Sequence, residues 1–284
     1  KEERENAIKI AGFGAMAFGI FSIVYNLLGK NVALDYRLLG PLDSAVYLSF
    51  YLTPFFIYFT IKFLEDTRTK SNLISSIILA LLLIATRSMG SILGSIVILL
   101  IYIVKKTKLL KKTSVKIAAT LILLTAISIS FYVKILPTIK TDYSSLDERG
   151  EIWLVSVELL KEPKTFLFGL GPSQFEQNYI NTADKVLKQP PLDYYVIQPH
   201  NIFLLFIFNY GILGLIFLLV LIAKTVSIVI KPQAEAKTSL QEIAGFVIAY
   251  FFLHGLIDTP FIKNDLLILL FIFFEMAFAG KNRD

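Results

Sequence analysis

Two histidines are the only side chains of this sequence with an ordinary pKa near neutrality, and they fall in two separate polar breaks. One break is Gln198-Pro199-His200-Asn201. It stands at the mouth of the apolar run 201–223, so His200 is a candidate general base and Asn201 a candidate substrate contact. A capping or surface histidine is the plainer reading. The other is His254-Gly255-Leu256-Ile257-Asp258-Thr259-Pro260. Here His254 and Asp258 read as a local pair that caps a helix, with substrate contact as the alternative. Three arginines offer anion binding. Arg87 lies in Thr86-Arg87-Ser88-Met89-Gly90, a short polar turn inside the apolar run 72–104. An arginine at membrane depth costs about 3 kcal/mol and must line a polar cavity; one near the surface snorkels to headgroups. Arg149, in Asp147-Glu148-Arg149-Gly150-Glu151-Ile152-Trp153, stands at the start of an amphipathic stretch, where a cation opposes the helix dipole. An anionic ligand at that helix start explains it, as does a salt bridge to Asp147, Glu148 or Glu151. Arg37 sits in a loop with the turn signal Gly40-Pro41, where contact with headgroups is the simpler account.

The elements that must position these residues cross a membrane. The chain has 284 residues, of which 55% are hydrophobic and 18% charged, and its mean hydropathy is +0.67. Soluble domains carry about 25% charged residues. The lack of cysteine excludes disulfides, thiolate metal sites and cysteine nucleophiles. Two histidines make no metal cluster. The net charge of +6 is no sign of nucleic-acid binding, because basic residues in membrane proteins mostly set orientation. Walker loops, G-x-G-x-x-G, H-E-x-x-H and nucleophile elbows are all missing, so neither a nucleotide nor a metal cofactor is expected.

Apolar runs of spanning length lie at 7–28, 45–63, 115–136, 201–223, 240–257 and 264–280, and the run 72–104 splits at Arg87 into two more. The expected fold is therefore an all-α polytopic membrane protein with eight transmembrane helices, a single integral domain over 1–284. The densest basic cluster, Lys105 to Lys116, reads as a cytoplasmic topology anchor. Both termini are then cytoplasmic, and the long loop 137–200 is extracytoplasmic. Within that loop Glu148–Lys161 reads as an interfacial helix capped by Asp147, with Trp153, the sole tryptophan, at headgroup level.

The order of these pieces resembles the O-antigen ligase and polymerase superfamily of membrane glycosyltransferases. Thr86-Arg87-Ser88-Met89-Gly90 is similar to its Ser/Thr-Arg-small turn, and Arg149 with Trp153 to its R-x-x-x-W element. Gly169-Leu170-Gly171 with Phe175 resembles its G-x-G turn. Pro199-His200-Asn201 followed by Tyr210-Gly211-Ile212-Leu213-Gly214 resembles its H-N and G-hydrophobic-hydrophobic-G signature. His254 to Pro260 looks like its H-S-hydrophobic-hydrophobic-D-x-P, with Gly255 in place of serine. Members usually have more than eight spans, so the resemblance implies further N-terminal helices before Lys1.

What the resemblance implies is a glycosyltransferase of the C type at the plasma membrane, working on the extracytoplasmic face without metal or other cofactor. Its donor is a polyprenyl-diphosphate-linked glycan. Its acceptor is a hydroxyl on lipid A–core, on another glycan or on a protein. Arg87 and Arg149 would bind the donor diphosphate and His200 would assist the acceptor hydroxyl. Two guanidiniums suit a departing diphosphate, and a single displacement at the anomeric carbon inverts configuration. The competing class is a transporter or flippase for a lipid-linked or anionic substrate, which can also use intramembrane arginine. Such proteins show repeats and midplane polar breaks. This sequence shows no repeat, and its polar residues gather toward one face.

Overall fold

The computed structural model describes residues 2–30, 37–107, 145–231, 239–259 and 263–278. The described residues form ten α-helices and no strand. In chain order these are α1 (Glu2–Leu27), α2 (Ala45–Glu65), α3 (Lys70–Thr86), α4 (Met89–Lys106) and α5 (Ser145–Leu160). They continue as α6 (Pro163–Phe168), α7 (Phe175–Leu187), α8 (Ile202–Ile230), α9 (Leu240–His254) and α10 (Asn264–Phe278). The expected span at 115–136 and the first part of the 137–200 loop lie outside the described residues. Each of the other seven expected spans coincides with a helix, and four of these helices, α1, α2, α4 and α8, are long and apolar enough to cross a membrane. The described residues are thus all-helical in their regular structure, and the protein is a polytopic membrane protein. The chain divides into two compact units.

The first unit comprises residues 1–123, 225–251 and 260–284. Its centre is α2, whose Phe50, Leu52, Phe55, Ile57 and Phe59 are buried. Phe50 stacks on Phe251 at 4.6 Å, and Tyr102 meets Phe246 edge-on at 5.6 Å. Lipid supplies no hydrophobic drive between helices, so hydroxyl contacts count for more here. Ser49 and Ser91 share a hydrogen bond of 2.7 Å, and the Tyr250 hydroxyl donates to Ser91 at 3.0 Å. Ion pairs tie helix ends together: Lys62 to Glu5, Lys106 to Glu65, Arg4 to Glu275, and Lys105 to Glu242. Lys105 and Lys106, read from sequence as topology anchors, therefore also neutralise acidic residues on neighbouring helices.

Helices α3 and α4 have 17 and 18 residues and reach into the flanks on either side of the apolar run 72–104. Each is about 26 Å long, close to the hydrocarbon thickness. The turn between them is built locally. Thr86 Oγ1 donates back to the Leu83 carbonyl at 2.7 Å and accepts the Ser88 N–H at 3.3 Å. Arg87 then takes a left-handed conformation (φ 51°, ψ 26°), its N–H bonded to Ile84 O. The Leu38 N–H binds the Ala85 carbonyl at 3.0 Å and ties the first loop to this turn.

The second unit comprises residues 124–224 and 252–259. Its core joins α5, α7 and the start of α8 through Ile152, Val155, Phe175, Tyr179, Ile207 and Phe208. Helix α5 begins at Ser145, earlier than the amphipathic pattern predicts, because Asp147 and Glu148 serve in its first turn and not ahead of it. Helix α8 corrects the expected span 201–223. It runs to Ile230 and breaks at Gly211 (φ 63°, ψ −155°). The arm after the break, residues 212–230, is about 28 Å long and alone has spanning length. The break is filled by the Gly169-Leu170-Gly171 turn. The Leu170 and Gly171 N–H groups both bind the Phe208 carbonyl, at 2.6 and 3.1 Å. A Cβ at Gly211 would fall 2.2 Å from the Leu167 carbonyl oxygen, and one at Gly169 2.7 Å from Phe208 O. Only glycine on both sides permits this approach, so two motifs forty residues apart in the sequence form one joint.

Candidate functional site

The second unit gathers Arg149, His200, Asn201 and Asp258 at one locus. Asp258 is its hub. Its Oδ1 accepts from His200 Nδ1 at 2.9 Å and from the Thr259 N–H at 2.8 Å. Its Oδ2 accepts from Arg149 Nη2 at 3.2 Å. Burial alone would push this carboxyl up; the His200 hydrogen bond and the nearby positive charge of His200 and Arg149 outweigh it and hold the pKa at about 2. Asp258 is therefore an anion at neutral pH and can only accept, so the proton shared with His200 resides on Nδ1. In the neutral imidazole the lone pair is then on Nε2, the arrangement in which a carboxylate orients a histidine for proton abstraction. The His200 side chain is 31% exposed, against 16% for Arg149 and 13% for Asp258. The group able to take a proton is thus the most accessible of the three.

The loop before α8 is held on both sides. His200 adopts φ 48°, a left-handed conformation that a β-carbon disfavours. Strain of this kind persists when the surroundings over-determine the backbone. Trp153 Nε1 donates to the Pro199 carbonyl at 3.0 Å, and Thr259 Oγ1 donates to Gln198 Oε1 at 2.8 Å. Asn201 caps α8: its Oδ1 accepts the N–H groups of Phe203 and Leu204 at 2.9 and 3.2 Å. The same side chain donates through Nδ2 to the Leu256 carbonyl at 3.0 Å, and the Ile202 N–H binds Gly255 O at 2.6 Å. The segments 198–202 and 255–259 are thereby zipped together around the His200–Asp258 pair.

Arg149 is the fifth residue of α5, past the turn in which a cation opposes the dipole, and its ion-pair partner is Asp258 rather than an acidic neighbour on its own helix. Nη1 reaches only the Ser145 carbonyl at 3.4 Å, and Nε is buried without a partner among the described residues. Among the described residues the guanidinium's donors are only partly taken up, a property suited to an anionic ligand that reaches its exposed edge. His254 is buried, and its carbonyl closes the end of α9 by accepting from Ile257 and Asp258 N–H at 3.1 and 3.0 Å. Asp258, its expected local partner, interacts electrostatically with the His254 side chain, while its carboxylate accepts hydrogen bonds from His200 and Arg149. Arg87 and Arg37 belong to the first unit. Arg87 is exposed at its turn, and the half-buried Arg37 offers its carbonyl to Asn26 Nδ2 at 3.1 Å. Among the described residues no group of three or more His, Asp or Glu side chains is placed to hold a metal ion.

Sequence reasoning missed the Trp153–Pro199 and Gln198–Thr259 contacts, which no spacing rule reveals. The cap by Asn201 had a readable signal, an asparagine directly before a long apolar run.

Comparison with curated proteins finds no match. The family model for O-antigen ligase matches residues 74–219, just over half of the chain. The match takes in Arg87, Arg149, both glycine motifs, His200 and Asn201; Asp258 lies beyond it. A helical membrane architecture, the Gly169–Gly211 joint and a histidine set by a carboxylate at the mouth of α8 accompany that match, and the chain belongs to the O-antigen ligase family.

Proposed function

We propose that this protein moves a glycan from a polyprenyl-diphosphate carrier to an acceptor hydroxyl on the extracytoplasmic face of the plasma membrane. The family supports glycosyl transfer from a lipid-linked donor in general. The carrier, the face and the residue roles are our reading. The observation that carries it is the Arg149–Asp258–His200 constellation, which joins a guanidinium with spare donors to an oriented imidazole.

In this reading His200 Nε2 takes the proton of the acceptor hydroxyl as its oxygen attacks the anomeric carbon. The bond from that carbon to the diphosphate oxygen breaks, and its electron pair leaves with the diphosphate. One displacement inverts the anomeric configuration. Arg149 binds the diphosphate and stabilises its growing charge, so no metal is required. Arg87 is the second cation that the resemblance assigns to the donor. Asp258 fixes the His200 tautomer and stabilises the imidazolium. Basic residues in the last turn of α4, Lys105 and Lys106, support placing that end, and with it both termini, in the cytoplasm.

A transporter could also use a broken helix like α8. In this protein the Phe208 carbonyl at the break accepts N–H groups of Leu170 and Gly171, which favours a structural joint over an ion site. The test is transfer by purified protein from a lipid-linked donor to a set of glycan, lipid A–core and protein acceptors. Product formation that disappears in Arg149→Ala and Arg87→Ala supports the reading. Undiminished product from both variants at normal expression refutes it, and transport into vesicles without product favours the alternative.

A further inference from the structure

Helix α6, Pro163–Phe168, has six residues, and its last three are Phe166, Leu167 and Phe168. They are 40%, 46% and 73% exposed. Three consecutive large apolar side chains open to solvent have no rationale in water. Thr165 beside them is buried, so the helix is seated and its apolar end is presented outward by the packing.

We propose that this end of α6 is a wedge embedded in the interfacial layer of the phospholipid bilayer, fixing the level at which α8 enters the membrane. The argument rests on what α6 is joined to. The Gly169 turn docks on the break of α8, with the Leu167 carbonyl carbon 2.5 Å from where a Gly211 Cβ would stand. From that point α8 becomes a helix of spanning length whose surface is apolar: Leu213, Ile216, Phe217 and Val220 are 73%, 50%, 57% and 47% exposed. Such a surface has only lipid as its medium. The apolar end of α6 is therefore continuous with a lipid-facing stripe and lies at its upper limit. Composition agrees. Phenylalanine and leucine suit the acyl boundary, and the exposed Lys161 and Lys164 just before them suit headgroups. The wedge sets a length: residues 202–210 rise about 14 Å from Gly211 to the His200 loop, so the joint fixes how far along α8 that loop stands from the lipid.

This inference needs no assumption about the reaction, and its test has a readout independent of transfer. Trp153 is the only tryptophan, so Trp153→Phe gives a dark background. Phe168→Trp is placed in that background and reconstituted into bilayers brominated either high or deep on the acyl chains. Gln177→Trp, at an exposed polar position on α7, serves as control. The expected result is blue-shifted emission from position 168, quenched more by the shallow bromines than by the deep ones, with the control unquenched. Water-like, unquenched emission at 168 overturns the proposal, and so does stronger quenching by the deep bromines. Phe166→Trp repeats the reading at a second position in case one variant is poorly folded.

Discussion

Replacing Asp258 by Asn changes one charge at the residue that both Arg149 and His200 contact. The amide can still accept from His200 Nδ1 and the Thr259 N–H through its oxygen, but its NH2 group then faces Arg149 Nη2, donor against donor. The magnitude has two parts. In the folded protein the carboxyl sits at about 2 against an ordinary 3.8, and that gap of about 1.8 is worth roughly 2 kcal/mol of stability. Removing one partner of a buried pair costs about 3–5 kcal/mol when the other charge is stranded; Arg149 is partly accessible, so about 2–3 kcal/mol is expected. The rate should fall by roughly a hundred-fold or more, because the histidine loses the counter-ion that stabilises its imidazolium. Thermal unfolding in detergent reads the first quantity, and single-turnover transfer from lipid-linked donor reads the second. The sign with pH is fixed as well. A depressed carboxyl stabilises the fold above its unfolded value and loses that contribution as pH falls, so the wild-type protein should lose this increment between about pH 4 and pH 2, while the variant shows no such step. Transfer within about three-fold of wild type, alongside the expected loss of stability, would falsify the role of Asp258 in setting His200 and leave it a structural residue.

Three further outcomes are expected. His200→Asn should fold, since asparagine tolerates the left-handed backbone and can donate to Asp258, yet transfer should drop by at least about a hundred-fold because the amide takes no proton; near-normal turnover would remove His200 from the chemistry. Gly211→Ala should destabilise by roughly 3 kcal/mol or more, as its Cβ meets the Leu167 carbonyl and its φ is positive; an unchanged melting temperature contradicts the joint. Trp153→Phe should lower stability by only about 1 kcal/mol through the lost bond to Pro199, but lower kcat with KM little changed, because what it releases is the His200 loop; a change in KM alone would argue for substrate contact instead.

The helical spans and the functional residue types could be read directly, because membrane solvation leaves long apolar runs and makes each remaining cation or histidine conspicuous. The Arg87 turn was visible for that reason. The partnership of Arg149 was not. Its carboxylate lies 109 residues away, and one-dimensional spacing offered only the nearer Asp147, Glu148 and Glu151 as partners. His254 and Asp258 show a different limit: the local pair read from their spacing is present, through a backbone hydrogen bond and an electrostatic interaction of the side chains, but the carboxylate also reaches His200, 58 residues back in the chain. The break in α8 was also hidden. Gly211 stands inside a long apolar stretch interrupted by Asn209, and hydropathy does not distinguish a glycine that bends from one that packs.

In the proposed reaction, one carboxylate shared by Arg149 and His200 makes substrate order a matter of electrostatics. While Arg149 and His200 both draw on Asp258, the imidazole has only a share of that negative charge. An anion arriving at Arg149 competes for the guanidinium and leaves more of the carboxylate to His200. In the proposed reaction the carboxylate is then freed to stabilise an imidazolium at the moment the leaving group is in place. Such a coupling would favour ordered addition in the proposed reaction, donor before acceptor, and would restrain the site from activating water on an empty enzyme.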